Sequence, residues 1–203
     1  MSVVGAPLRD VSKHTRDGGG FGLLHDAIVR IIDATVRDEE RKDMMRAMND
    51  GHLATTLVKA AEHGAAKDVR RLLEMGAPIN HLRSKALRRA IHLNHVDVVS
   101  VLIADPRFVI NAWGGEALTI AARLGRVEII QLLLNANPPA DIHVMDDAAL
   151  YNAARFGHAE AVRVLLAAGP PADGGTRALG VAVRNQHHEV ADIINQSRSI
   201  TFR

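Results

Sequence analysis

The sequence predicts an all-α fold: a helical repeat solenoid of about five stacked units that follows an irregular N-terminal helical cap. Apolar residues recur at helical spacing in near-equal intervals, and turn-forming residues separate the copies. Aromatic residues make up only 3% of a chain that is 47% hydrophobic. Alanine and leucine supply most of the apolar content, which favours close-packed helices over sheets rich in β-branched and aromatic residues.

The first helix of each unit is predicted by a leucine, an alanine three residues later and a small or branched apolar residue next to it. This i, i+3, i+4 spacing lies on one helix face, and alanine there lets a neighbouring helix approach closely. The leucines are 30, 31, 32 and 29 residues apart. The copies are Leu57, Ala60 and Ala61; Leu87, Ala90 and Ile91; Leu118, Ala121 and Ala122; Leu150, Ala153 and Ala154; and Leu179, Ala182 and Val183.

A second helix is predicted after each turn residue, namely Gly64, Asn94, Gly125, Gly157 and Gln186. Glycine and asparagine suit a left-handed residue just past a helix end. The expected buried stripes are Ala66, Val69, Leu72 and Leu73; Val96, Val99, Leu102 and Ile103; Val127, Ile130, Leu133 and Leu134; and Ala159, Val162, Leu165 and Leu166. The last copy has the more polar set His188, Ala191, Ile194 and Asn195, as expected of a terminal repeat whose outer side meets water.

Segments rich in turn formers separate the helical pairs, and proline ends each pair because it cannot continue a helix. These segments contain Gly76-Ala77-Pro78, Asp105-Pro106, Asn137-Pro138-Pro139 and Gly169-Pro170-Pro171.

The sequence resembles the ankyrin repeat family in these repeated helical pairs. The resemblance is carried by TLVKAAEHGAAKDVRRLLEMGAPIN from Thr56, ALTIAARLGRVEIIQLLLNANPPAD from Ala117 and ALYNAARFGHAEAVRVLLAAGPPAD from Ala149, and it covers about residues 56 to 195. The Thr-Pro-Leu-His opening of the family lacks its proline and histidine here, and fingers such as Asn111-Ala112-Trp113-Gly114-Gly115 are short. These departures argue against a regular β-hairpin finger but leave the stacked helical pairs intact.

The resemblance also suggests where the domain boundaries lie. Leu24-His25-Asp26-Ala27 matches the family's Leu-His-x-Ala opening, 33 residues before Leu57. We therefore expect a degenerate helical cap over residues 21–54, with helices near 22–35 and 37–49, and the repeat domain over 55–197. Residues 1–20, which end in three glycines, are expected to form a flexible tail, and 198–203 a C-terminal tail.

Catalytic motifs are not evident, so we expect neither enzyme activity nor a cofactor. The chain has no cysteine, no HExxH motif and no serine in a Gly-x-Ser-x-Gly elbow. The glycine-rich stretch ending at Gly22 lacks the Lys-Ser/Thr that a phosphate loop needs. His92 and His95, or His187-His188 beside Glu189, could suggest a metal site, but the family resemblance implies a structural histidine in the loop at His95 and His158.

Charge and hydropathy narrow the partner class only slightly. The net charge is +2, from 25 Lys+Arg against 23 Asp+Glu. No window approaches the 18 or more apolar residues of a membrane-spanning helix, and the first 20 residues lack the apolar run of a secretory signal. We therefore expect a soluble, cytoplasmic protein that does not bind a membrane.

The predicted binding surface consists of the two residues that precede each turn, because they point away from the buried stripe. The resemblance places them on the concave side of the stack. Stacking would align Arg123, Arg155 and Arg184 beside an apolar row of Leu93, Leu124 and Phe156. The alternative is that arginine is only a good helix former on a solvated face, although the exposed Phe156 favours a partner.

Trp113, the only tryptophan, is the remaining predicted contact residue, although it could instead pack over the neighbouring finger. The sequence therefore predicts a protein-protein interaction module, an adaptor or inhibitor, that binds an acidic and partly apolar segment. Two alternatives stay open: a nucleic-acid-binding repeat protein that uses the arginines, and a structural subunit of a larger assembly. Near-zero net charge and few aromatic residues argue against nucleic acid. The oligomeric state is not predicted.

Overall fold

The computed structural model describes the backbone of residues 38–201 and the side chains of residues 50–199. The chain divides into two compact units, Met1–Asn49 and Asp50–Arg203. The described part of the first unit, residues 38–49, is helical. The predicted tail over residues 1–20 and the predicted helix near 22–35 lie outside the described residues.

Ten helices and no strand are present between residues 38 and 201, so the predicted all-α class is confirmed for this part of the chain. The helices are α1 (Asp38–Glu62), α2 (Ala66–Glu74), α3 (His81–Leu93), α4 (Val96–Ile103), α5 (Ala112–Arg123), α6 (Val127–Leu134), α7 (Val144–Arg155), α8 (Ala159–Ala168), α9 (Thr176–Arg184) and α10 (His188–Thr201).

The helices pair as five repeats, and each repeat packs on the next. First helices contact first helices, in the order α3, α5, α7 and α9, and second helices contact second helices from α2 to α10. A pair of this length cannot bury its apolar face alone, so the core forms between repeats and runs through the stack.

Helix α1 corrects the prediction of a separate cap helix near 37–49. One helix runs from Asp38 to Glu62, and the predicted boundary between residues 54 and 55 falls inside it. Gly51 weakens a helix but does not end it, and no proline lies between Asp38 and Glu62. Buried Leu53, Leu57 and Ala61 continue one stripe at i, i+4 and i+8. At the other end, α10 extends to Thr201, past the predicted end at 197.

The predicted first-helix stripes are largely buried, with one exception in the last repeat. Val183 is 59% exposed, whereas its equivalents Ala61, Ile91, Ala122 and Ala154 are 0% exposed. This position faces the following repeat, and within the described residues no repeat follows α9. The prediction that Val183 is buried was therefore wrong, because its burial needs a neighbour that the last repeat lacks.

The second helices bury a different stripe from the predicted one. Val69, Val99, Ile130 and Val162 are buried as expected, but the first and last predicted positions of the interior copies, such as Val96 and Ile103, are only half-buried. A fully covered position two residues into the helix was not predicted from the sequence. It is occupied by Val98, Ile129, Ala161 and Val190. Second helices lie between two neighbours, so their buried stripe is wider than that of a helix packed on one side.

The turns between paired helices are left-handed, as predicted for those with glycine or asparagine. Gly64, Asn94, Gly125, Gly157 and Gln186 all have φ between 61° and 76°. The residue that follows each of the last four turns then bonds to the preceding repeat. The Nε2 atoms of His95, His158 and His187 donate to the carbonyls of Glu62, Arg123 and Arg155 at 3.0, 2.9 and 3.1 Å. Arg126 does the same for His92, at 3.0 Å.

The fingers contain left-handed turns where a β-hairpin would stand. In α3, α5 and α7 the first turn has positive φ at three successive residues: Leu82, Arg83 and Ser84; Trp113, Gly114 and Gly115; and Met145, Asp146 and Asp147. This conformation is unfavourable for residues other than glycine, so neighbouring contacts must hold it. Buried Asp147 accepts hydrogen bonds from Nδ1 of His143 at 2.7 Å and from the backbone N–H of Ala172 at 2.7 Å, which ties this finger to the next.

Candidate protein-binding surface

The first helices of the last three repeats carry an arginine at the same place, immediately before the turn region. We call Arg123, Arg155 and Arg184 the arginine ladder. All three side chains are exposed. Because α5, α7 and α9 pack side by side, the three residues lie on successive helical layers of one face.

The arginine ladder carries positive charge that the part of the fold between residues 50 and 199 does not neutralise. Within residues 50–199, no carboxylate forms an ion pair with a ladder side chain. Arginines of repeat 2 differ: Arg89 pairs with Glu62 at 2.8 Å and Arg88 lies 3.5 Å from Glu116. The ladder is therefore the part of this face that is open to an anionic group.

Beside the ladder runs the apolar row, which we define as Leu93, Leu124 and Phe156. Leu93 is 45% and Phe156 is 46% exposed, whereas Leu124 is half-buried and packs against the core. The guanidinium carbon of Arg155 lies 5.6 Å from the centre of the Phe156 ring, which favours a cation–π contact. Charge and apolar surface thus meet in repeat 4.

The backbone that presents the ladder is fixed by the next repeat. The carbonyl of Arg155 accepts from Nε2 of His187 at 3.1 Å and from Nδ2 of Asn185 at 2.8 Å. The carbonyl of Arg123 accepts from Nε2 of His158, whose ring is roughly parallel to that of Phe156, with centroids 6.5 Å apart. Ends of helices often fray, and these bonds hold α5 and α7 in place up to their last turn.

The position of the ladder arginines is occupied by Glu62 in the first repeat and by His92 in the second. We call these two residues and the arginine ladder together the column. The pKa of His92 is lowered, first by burial and then by the positive charges of four arginines, Arg123, Arg89, Arg88 and Arg126. An uncharged imidazole is favoured there. The column therefore runs from an ion-paired acid through a neutral group to three arginines.

Tyr151 is a residue of this face that the sequence analysis missed. It lies one helical turn before Arg155 and packs partly against the core. The guanidinium carbon of Arg177 lies 5.5 Å from its ring centre, and Arg177 also reaches Asp146 at 3.6 Å. The available signal was the i, i+4 spacing of the only tyrosine from a ladder residue.

Trp113 lies apart from the ladder, at the opposite end of α5 from Arg123. Its ring is 50% exposed and the guanidinium carbon of Arg83 lies 5.6 Å from it. The equivalent finger positions hold Leu82 and Met145, which are also exposed. We call Leu82, Trp113 and Met145 the finger row. Only Trp113 was predicted from the sequence, because Leu82 and Met145 are unremarkable outside the stack.

Metal ligation and membrane insertion find no support in the described part of the chain. No group of three or more His, Asp or Glu residues there could hold a metal ion. Nε2 of His95, once a candidate ligand, donates to the carbonyl of Glu62 instead. None of the helices between residues 38 and 201 combines the length and the apolar content needed to cross a bilayer.

Comparison with known proteins agrees with the observed repeats. A family model described as Ankyrin repeats (3 copies) matches residues 57–146 and 118–201, which together span more than half of the chain. No curated protein matches the sequence closely enough to count as a relative. Ankyrin repeats are generally protein-protein interaction modules and typically are not catalytic. The repeated helical pairs, the left-handed turns and the family match together show that the chain belongs to the ankyrin repeat family.

Proposed function

We propose that this protein is a non-catalytic adaptor or inhibitor that binds an acidic, partly apolar segment of a partner protein through the arginine ladder and the apolar row. The observation that carries the proposal is the ladder itself. Three exposed arginines at equivalent positions have no ion-pair partner within residues 50–199, although carboxylates pair with arginines elsewhere on the first helices.

The apolar row supports a protein segment as the partner. Removal of an exposed ring such as Phe156 from water by a partner is favourable. A face that only carries solvated arginines would not explain an exposed phenylalanine. The finger row, with Trp113 at its centre, is a further part of the proposed binding surface. Tryptophan, like the arginines of the ladder, is enriched among residues that dominate binding energy.

The test is affinity capture with the full chain, followed by mass spectrometry of the bound proteins. The ladder variant carries Arg123→Glu, Arg155→Glu and Arg184→Glu. A matched control variant carries Lys67→Glu, Arg70→Glu and Arg71→Glu, which changes the net charge equally on exposed positions of a second helix.

We expect a partner that the parent and the control variant capture and the ladder variant does not. Equal capture by all three would contradict the proposal and move the search to the finger row. Nuclease treatment of each sample, together with heparin binding at physiological salt, separates this outcome from nucleic-acid binding. Capture that disappears with nuclease would favour the nucleic-acid alternative.

A further inference from the structure

The spacing of the arginine ladder restricts the conformation of the segment it can bind. Its residues come from α5, α7 and α9, which are consecutive first helices in contact. Packed helices lie roughly 8 to 10 Å apart, so successive ladder positions repeat at about that distance. A segment that crosses the stack must present one acidic side chain to each layer, all on one side of its own backbone.

An extended β-strand does not meet that requirement. Side chains on one face of a strand are two residues apart, which corresponds to about 6.6 Å, and the next same-face spacing is about 13 Å. Neither distance falls within the interval between layers. An α-helix presents same-face side chains three or four residues apart, about 4.5 to 6 Å along its axis, and again after seven residues, about 10.5 Å. Neither spacing falls within the interval between layers.

The polyproline II helix does meet it. This conformation has three residues per turn and a rise of about 3.1 Å, so every third side chain points the same way at about 9.3 Å. Over the two intervals from Arg123 to Arg184 the segment advances about 18.6 Å, inside the roughly 16 to 20 Å that two layers span. The residues between the acidic ones point to the other sides, where one can contact the apolar row.

The rest of the column limits the length of the acidic pattern. Beyond Arg123 the next position is His92, for which the neutral form is favoured, and then Glu62, which is already paired with Arg89 at 2.8 Å. Neither offers a free positive charge to a fourth or fifth acidic residue. The pattern is therefore limited to three acidic residues, which span two turns of the segment.

We propose that the arginine ladder binds a segment in polyproline II conformation that carries an acidic residue at every third position over seven residues. The inference rests on the proposed function and specifies its partner. It concerns only the chemistry and the conformation of the segment, so a protein segment of any origin with this pattern would serve.

The experiment compares three synthetic 15-residue peptides, each with three glutamates, by fluorescence anisotropy with the full chain at low salt. The first has glutamates three residues apart and the second two residues apart, with the same proline and leucine content. The third has them seven residues apart, with alanine in place of proline so that it can form a helix. The protein is tested as the parent, as Arg155→Glu, as the ladder variant and as the control variant.

We expect the three-residue spacing to bind roughly tenfold more tightly than the two-residue spacing, because two of three exposed ion pairs are lost when the register fails and each contributes at most about 1 kcal/mol. Arg155→Glu removes the middle position and should abolish the preference among peptides. The control variant should keep it, and far-UV circular dichroism should confirm that each variant remains helical.

The other outcomes decide between the two proposals. Tighter binding of the two-residue spacing would indicate a strand, and of the seven-residue spacing a helix; either overturns the polyproline II inference. Equal binding of all three peptides that the ladder variant loses would also overturn it and leave the proposed function standing. If no peptide binds, or if the ladder variant binds them as the parent does, the inference fails, and partner capture by the ladder variant then decides whether the proposed function fails too.

Discussion

The imidazole ring of His158 lies directly over Gly125, the left-handed residue of the preceding repeat. A Cβ atom on Gly125 would lie 2.6 Å from Nδ1 of His158, closer than side chains tolerate. On its other side the ring donates from Nε2 to the carbonyl of Arg123 at 2.9 Å. The lack of a side chain at Gly125 therefore makes room for the group that binds the end of α5.

The same pairing recurs wherever the turn residue is glycine. His95 covers Gly64 and His187 covers Gly157, in each case with a Cβ position less than 3 Å from the ring. The remaining interior turn has Asn94, and there the next repeat supplies Arg126 instead of histidine. Residues in adjacent repeats are thus matched: histidine requires glycine beneath it.

This match predicts that Gly125→Ala and His158→Ala are not additive. Gly125→Ala alone places a Cβ atom against the ring. It also puts an alanine in the left-handed conformation, which costs about 1 to 2 kcal/mol in addition to the clash. His158→Ala loses the hydrogen bond, about 0.5 to 1.5 kcal/mol, together with its packing. In the double variant the clash is absent, so Gly125→Ala should reduce the free energy of unfolding by less than it does in the parent. Urea denaturation of the four proteins measures the coupling.

Controls for this cycle are available on the same chain. Gly180 lies inside α9 with nothing within 4 Å of a Cβ, so Gly180→Ala should stabilise the protein by about 0.5 to 1 kcal/mol. His188 is exposed, and His188→Ala should change stability little. Strict additivity of the first pair would show that the ring moves freely and that the match has no energetic role.

Replacement of a core leucine in an interior repeat should destabilise the stack strongly. Leu118 is 2% exposed and Leu150 is 5% exposed, each at the equivalent place in its repeat. Leu118→Ala or Leu150→Ala should reduce the free energy of unfolding by about 2 to 5 kcal/mol through lost burial and the cavity that remains. Val109→Ala, at an exposed finger residue, serves as the comparison, and a similar loss there would contradict the assignment of the core.

Truncation after Asn135, which follows α6, should leave a weakened but still helical remnant. Repeats contact mainly their neighbours, so removal of α7 to α10 takes away one interface of the third repeat and leaves the earlier ones. Far-UV circular dichroism and thermal unfolding measure the remaining helix. Complete loss of the helical signal would indicate a single cooperative unit.

Reversal of the arginine ladder and removal of the Phe156 ring should weaken partner binding in different ways. The ladder variant replaces attraction by repulsion, so the loss should reach several kcal/mol and shrink as salt is added. One arginine replaced alone should cost a few-fold in affinity at most, about 0 to 1 kcal/mol. Phe156→Ala should cost about 1.5 to 3 kcal/mol with little salt dependence. Titration of the captured partner at two salt concentrations compares them, and equal salt dependence would refute the division into charged and apolar parts.

Acid should destabilise the protein through His92. Burial and the surrounding arginines lower its pKa in the folded state, so the unfolded chain takes up a proton at a higher pH than the folded chain does. Above about pH 6.5 both states are neutral at this residue and it contributes no pH dependence. As the pH falls from there through the folded pKa, the unfolded state binds more protons and stability decreases.

The comparison is between the parent and His92→Gln, unfolded by urea at pH 7.5 and at pH 5.5. The other histidines are present in both proteins, so their contributions cancel. The parent should lose more stability between the two pH values than the variant loses. An identical loss would show that folding does not lower the pKa of His92.

Much of the fold was predictable because its determinants are local and repeated. Leu118, Ala121 and Ala122 indicate a helix face by their spacing, and the same spacing four more times indicates a stack. Left-handed turns were predictable at Gly125 and Gly157 because few other residues favour that conformation. The predicted end of the cap helix near residue 49 was wrong because Gly51 lowers helix stability without ending the helix, which continues to Glu62.

The binding surface was predictable only in part. Equivalent positions gave Arg123, Arg155 and Arg184, and the structure shows all three exposed. Which arginines carry an ion pair could not be predicted, since the carboxylates that bind Arg88 and Arg89 come from neighbouring repeats about 30 residues away. The row formed by Leu82, Trp113 and Met145 depends on left-handed finger turns that oppose residue preferences.

The sequence by itself determined the all-α repeat, the number of repeats and the positions that face away from the core, because hydrophobic periodicity and turn chemistry act within a single helical pair. Only the tertiary structure decided how adjacent repeats are joined. His158 covers Gly125, Val98 and its equivalents are buried between two neighbours, and Val183 is exposed because no described repeat follows it. Each of these depends on contacts between residues about one repeat apart, where the free energy is set by packing and hydrogen bonding across the interface.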